Sequence, residues 1–160
     1  MLTAALTGNY FADNLKKRTA ALKAVGFMLA EISIMIEYNS SDVYEIAEKL
    51  SSDSRFNILG FPRELNNLLK EKENDFSFAW NAAVKSCGHG FLTKDDTKFI
   101  CSLGDNLGKS GVEGQLTNIR LKQKELDILI SEAESSFAQK AKLYRSLGVL
   151  LGAFVSILLV

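Results

Sequence analysis

Residues 112–160 read VEGQLTNIRLKQKELDILISEAESSFAQKAKLYRSLGVLLGAFVSILLV, and this stretch decides the fold. Val112, Leu116, Ile119, Leu126, Ile130, Ala133, Phe137, Ala141 and Tyr144 recur at close to a 3.5-residue spacing, interrupted only at Gln123. That period marks one long helix with a single buried stripe. No breaker separates the stripe from the uncharged end, so one rod is expected to run from a packed domain into the tail. Ser110 with Glu113 has the S-x-x-E pattern of a capping box and predicts the start of this helix.

Working toward the N-terminus, the remaining segments also read as helices. Leu15, Leu22, Val25, Leu29, Ile32 and Ile36 recur at threes and fours and predict a helix from Asp13 to about Tyr38, broken by Asn39-Ser40-Ser41. Asp42 with Glu45 predicts the start of a second helix ending near Leu50. Ser51 to Gly60 reads as a loop or a short helical turn. Pro62 suits the first turn of a third helix running from Phe61 to about Lys72. Asn74 or Asp75 caps a fourth, with Phe76, Ala79, Trp80, Ala83 and Val84 inward and Gly88-His89-Gly90 as its end. Thr93 with Asp96 predicts a capping box for a fifth, with Phe99, Ile100 and Leu103 inward, and Gly108 sits where helices stop. The 160 residues suffice for one domain. The expected fold is all-α, a six-helix antiparallel bundle whose long last helix continues into a membrane segment.

Nineteen basic and nineteen acidic side chains cancel, which disfavours binding nucleic acid by bulk charge. Their distribution is more informative, because every charge lies between Asp13 and Arg145. Ser146–Val160, extended by Leu143 and Tyr144 with Arg145 snorkelling, spans about 27 Å as a helix against a hydrocarbon core of about 30 Å. A buried terminal core helix is the rival reading. The absence of a polar face, the small-xxx-small pair Gly148 and Gly152, and the basic residues ahead favour a membrane segment over 146–160. Residues 1–12 are either the end of a membrane helix or a frayed terminus. They do not resemble a secretory signal, since Lys16, Lys17 and Arg18 follow the apolar part. With Lys140, Lys142 and Arg145 before the tail, the positive-inside rule places 13–145 in the cytoplasm.

Chemistry-bearing motifs are sparse. Cys87, His89 and Cys101 are too few for a zinc site, and no phosphate-binding or hydrolytic signature is present, so neither metal, cofactor nor small-molecule substrate is expected. Cys87 and His89 stand two apart, which sends their side chains in unrelated directions. Pairs such as Asp95-Asp96, or Glu71 and Glu73, read as solvated faces. The run from Glu31 to Asp53 is different: Glu31, Glu37, Asp42, Glu45, Glu48 and Asp53 face a single base, Lys49. It is either a solvated face or an acidic dock for a basic partner.

FADNLKKR at 11–18, Leu29-x-Glu31-Ile32, Ala79-Trp80, Leu107-Gly108-x-Ser110 before Gln115, and Tyr144-Arg145-Ser146-Leu147-Gly148 stand in an order and spacing that resembles the stage III sporulation protein AB family. The likeness covers essentially the whole chain. Gly111 stands where such proteins often carry an aspartate, and Ser51 to Gly60 fits the family poorly. The resemblance implies a non-enzymatic component of the channel between mother cell and forespore, in the mother-cell membrane facing the forespore. It also implies a cytoplasmic helical domain similar to that of type II secretion inner-membrane platform proteins. Such a platform couples a cytoplasmic secretion-type ATPase to the other membrane subunits, with Glu31, Glu37, Asp42, Glu45 and Glu48 as the partner-binding surface. A soluble helical adaptor whose apolar tail is core is the alternative.

Overall fold

The computed structural model describes residues 2–39, 42–71, 75–88 and 90–158. Among the described residues there are six α-helices and one 3-10 turn: α1 Leu2–Asn39, α2 Val43–Ser52, the turn Ser54–Phe56, α3 Phe61–Glu71, α4 Phe76–Ser86, α5 Lys94–Gly104 and α6 Val112–Leu158. No strand occurs among the described residues. The all-α expectation therefore holds, and α6 runs unbroken over 47 residues. α1 begins at Leu2 and not near Asp13, so the N-terminal segment is helical as well. His89, Ser40 and Ser41 lie outside the described residues, as do the side chains of Phe137, Ala141 and Tyr144.

α1 and α6 form the long axis. Ala21, Leu22, Val25, Met28, Leu29, Ile32 and Ile36 of α1 are buried. Ile119, Leu126 and Ala133, seven residues apart on α6, are buried as well, while Leu116 and Ile130 are half-buried and Val112 is exposed. The pair is antiparallel, because Lys23 reaches Glu134 at 2.7 Å whereas Gly26 faces Leu126. The N-terminal end of α1 and the C-terminal end of α6 therefore point the same way. Asp13–Tyr38 is long and apolar enough to cross a membrane, with a mean hydropathy of 1.7, but half of that window is buried inside the fold. Its apolar stripe is spent on the core.

α2 to α5 pack each on the next. Asp42 caps α2 by accepting from the N–H groups of Tyr44 and Glu45, both at 2.9 Å. Ser51–Gly60 is no appendage: Phe56 and Leu59 within it are buried with Ile46, Leu50 and Leu65. All five residues expected on the inner face of α4 are buried, and Asp75 is the residue that caps it. Trp80 lies at the centre, its ring 5.0 Å from Phe61 and 5.7 Å from Phe76, with Nε1 donating to the Ile100 carbonyl at 2.8 Å. That bond satisfies the one polar atom of an otherwise apolar ring.

The start of α6 differs from the expected Ser110/Glu113 box. α6 begins at Val112, and Gln115 closes the turn by accepting from the Gly108 N–H at 3.1 Å and donating to the Ser110 carbonyl at 2.8 Å. Gly108 holds φ at 77°, with Val43 close enough to exclude a β-carbon. The Leu107-Gly-x-Ser…Gln signature is thus a turn clasped by one amide side chain.

Candidate functional site

Five of the six acidic residues between Glu31 and Asp53 fall into two groups on the folded chain. Glu31 is half-buried on α1, where Arg55 Nη2 donates to it at 3.0 Å. The same guanidinium donates to Asp53 at 2.6 and 2.8 Å and stacks 5.3 Å from the Phe56 ring. The Arg55 side chain and its own N–H, both bonded to Asp53, hold that carboxyl below the usual range, and the two carboxylates raise Arg55 in turn. Arg55 stands just outside the acidic run as read along the sequence. In the fold it neutralises one end of that run.

Asp42, Glu45 and Glu48 form the second group, on and before α2. They line one groove with Tyr44, Asn66, Leu69 and Lys70, of about 190 Å³. Tyr44 is half-exposed at its rim, Glu45 and Glu48 are exposed, and Leu69 is buried behind them. Glu37 is exposed near the end of α1, one loop away. A groove with carboxylates at its edge and a tyrosine ring beside a leucine suits a basic segment that also carries an apolar side chain. Because α2 follows the C-terminal end of α1, the groove lies roughly 38 Å along that helix from Asp13 at about 1.5 Å per residue.

Cys87 and Cys101 are both free and half-buried, and burial, partly offset by Lys85, pushes the Cys101 thiol up, away from the reactive thiolate form. Among the described residues no cluster of three potential metal ligands occurs.

Asp96 requires a correction. Read as half of a solvated carboxylate pair, it is completely buried, while Asp95 is exposed. Arg18 grips it from α1 with two bonds, Nε to Oδ2 at 2.7 Å and Nη2 to Oδ1 at 2.9 Å. The Thr93 N–H donates to Oδ2 at 2.8 Å and completes the expected capping box. Burial alone raises this carboxyl; the Arg18 and Thr93 bonds outweigh it and hold the group below its ordinary value. The capping pattern placed the Asp96 carboxylate at the start of α5, but nothing local to residues 93–96 signals its burial, because Arg18 reaches it from 78 residues away.

The family model for stage III sporulation protein AB matches residues 1–160. Neither the curated proteins nor the solved structures yield a match to the chain.

Proposed function

The chain belongs to the stage III sporulation protein AB family, and from that premise we propose that it is a non-enzymatic platform of the channel between mother cell and forespore. On this reading residues 1–12 and 146–160 lie in the mother-cell membrane facing the forespore, and 13–145 form a cytoplasmic helical bundle. The bundle presents its acidic groove to a cytoplasmic secretion-type ATPase, and the membrane ends pack with other channel subunits.

The observation that carries the reading is the antiparallel pairing of α1 with α6. It sends both uncharged ends in one direction and leaves Asp42, Glu45 and Glu48 at the other end of α1. A chain with two apolar ends on one side can insert both in the same bilayer without turning the domain over. The basic residues Lys16, Lys17 and Arg18 follow the uncharged N-terminal segment on the side of the bundle, as the positive-inside rule requires on this reading.

Two measurements test it. The full chain is expected to fractionate with membranes and to stay there after alkaline extraction, and recovery in the soluble fraction would leave the adaptor reading. Glu45→Lys with Glu48→Lys changes two exposed positions, so the unfolding free energy should change by about 0.5 kcal/mol or less per site. Facing a basic partner, the same changes are expected to lower ATPase affinity about tenfold or more. Unchanged ATPase binding across a salt series would make the groove a solvated face. Glu31→Lys is unsuited to this purpose, because it also breaks the Arg55 pair.

A further inference from the structure

Two faces of the molecule carry large apolar side chains that no helix of the chain covers. On α1 Phe27 is 60% and Ile34 50% exposed, and on α6 Leu121 is 60% and Ile128 62% exposed. Each pair is seven residues apart, two helical turns, so each forms a stripe and not two scattered side chains. The α1 stripe also runs beside two adjoining hollows of about 360 and 400 Å³ that share Ala20 and Lys23, the second lined by Phe27, Arg55 and Ile58.

We infer that the two stripes are the two halves of one interface, with the outer face of α1 seated antiparallel on the outer face of α6 of a second copy. Complementarity argues for that occupant. Aligning Phe27 with Ile128 in antiparallel sense sets Ile34 opposite Leu121, and it also sets Lys23 opposite Glu132 and Glu31 opposite Lys124. Apolar meets apolar and charge meets opposite charge at four successive positions. Glu132 and Lys124 are exposed. Lys23 already holds Glu134 with both side chains about half exposed, and Glu31, 22% exposed, holds Arg55, so the second copy extends existing pairs into networks.

The register is also one the chain already uses. Within one copy Lys23 reaches Glu134 and Gly26 faces Leu126, within three residues of the alignment between copies. Self-pairings of α1 fit worse. Parallel α1 on α1 opposes Lys23 to Lys23 and Glu31 to Glu31, and antiparallel α1 on α1 sends the uncharged ends of the two copies in opposite directions. The α1-on-α6 contact keeps all ends on one side. Since the two faces differ, the contact is heterologous, and each copy gives one stripe and receives the other. Assembly then proceeds beyond a dimer to a ring or an open row. The preference over antiparallel α1 on α1 rests on the proposed membrane ends, whereas the pairing of residues stands on the two faces themselves.

Cross-linking of the full chain in intact cells tests it, with Cys87 and Cys101 replaced by serine. A tagged chain carrying Phe27→Cys and an untagged chain carrying Ile128→Cys, oxidised together, should give a band holding one of each. Both substitutions in one chain should give a ladder beyond the dimer. A dimer from Phe27→Cys alone, with no ladder from the double variant, would replace the inference with a two-fold α1 contact. Absence of any band while both thiols still react with a maleimide would overturn it outright. Glu31→Lys should lower the mixed yield about tenfold, and Lys124→Glu added on the opposing chain should restore it. Lost packing by Arg55 inside the first chain cannot be repaired from the second, so failure of the restoration would sink the proposed register.

Discussion

Asp96→Ala is expected to destabilise the fold by about 3–5 kcal/mol, the range for removing one partner of a buried ion pair. The change leaves the Arg18 side chain, only 12% exposed, without its carboxylate partner and strips the Thr93 N–H of its acceptor at the start of α5. Arg18→Met should cost nearly as much from the other side, because Asp96 is wholly buried and would keep only the capping bond. Asp96→Asn separates the contributions, since an amide oxygen can still accept from Thr93 but carries no charge. Urea unfolding of the three variants measures this, and losses below about 1 kcal/mol for both Asp96→Ala and Arg18→Met would show the pair to be worth no more than a surface one. A pH dependence follows from the lowered carboxyl. The unfolded chain binds the proton at the ordinary value of 3.8 and the folded chain only below it. The stabilisation is therefore complete above that value and is lost as pH falls through the lower folded one. Asp96→Asn should flatten the acid limb of the stability profile, and an unaltered limb would locate the acid sensitivity elsewhere.

Gly104→Ala should destabilise by about 2–3 kcal/mol through overpacking, although helix propensity alone favours alanine by about 1 kcal/mol. A β-carbon there would stand 2.5 Å from Trp80 Cδ1 and 2.7 Å from its Cβ, closer than such atoms approach. Neither neighbour can move cheaply. Trp80 is fully buried between Phe61 and Phe76, and its Nε1 is tied to Ile100 on the same helix as Gly104. Combining Gly104→Ala with Trp80→Leu removes the obstructing ring, so the two changes should be less harmful together than their separate costs imply. A melting temperature that rises for Gly104→Ala would show that α5 can shift away from α4 and that the contact is not a constraint.

Much of the local structure was legible because it depends on neighbours in the chain. The spacing of Phe76, Ala79, Trp80, Ala83 and Val84 identified a buried face whatever that face would meet. Asp42 and Thr93 announced helix starts, because a cap bonds N–H groups two or three residues on. Ser110 misled for a related reason: its S-x-x-E pattern is local, but the amide of Gln115 competes for the same turn from five residues away. The acidic run was only half legible. Counting charge along the sequence placed Glu31 with Asp42, Glu45 and Glu48, while the fold gives Glu31 to Arg55 and the others to one groove with Lys70.

The sequence by itself determined an all-helical chain, the uninterrupted course of α6, the confinement of charge to Asp13–Arg145 and membership of the sporulation family, since periodicity, composition and motif order are properties of the chain alone. Only the tertiary structure decided that α1 and α6 run antiparallel, that Asp96 is buried under Arg18 seventy-eight residues away, and that Phe27, Ile34, Leu121 and Ile128 remain uncovered. The physical reason is common to all three. A helix can turn an apolar stripe or a charge toward any neighbour, and burial depends on which helix is packed there, a fact that no spacing within one helix contains.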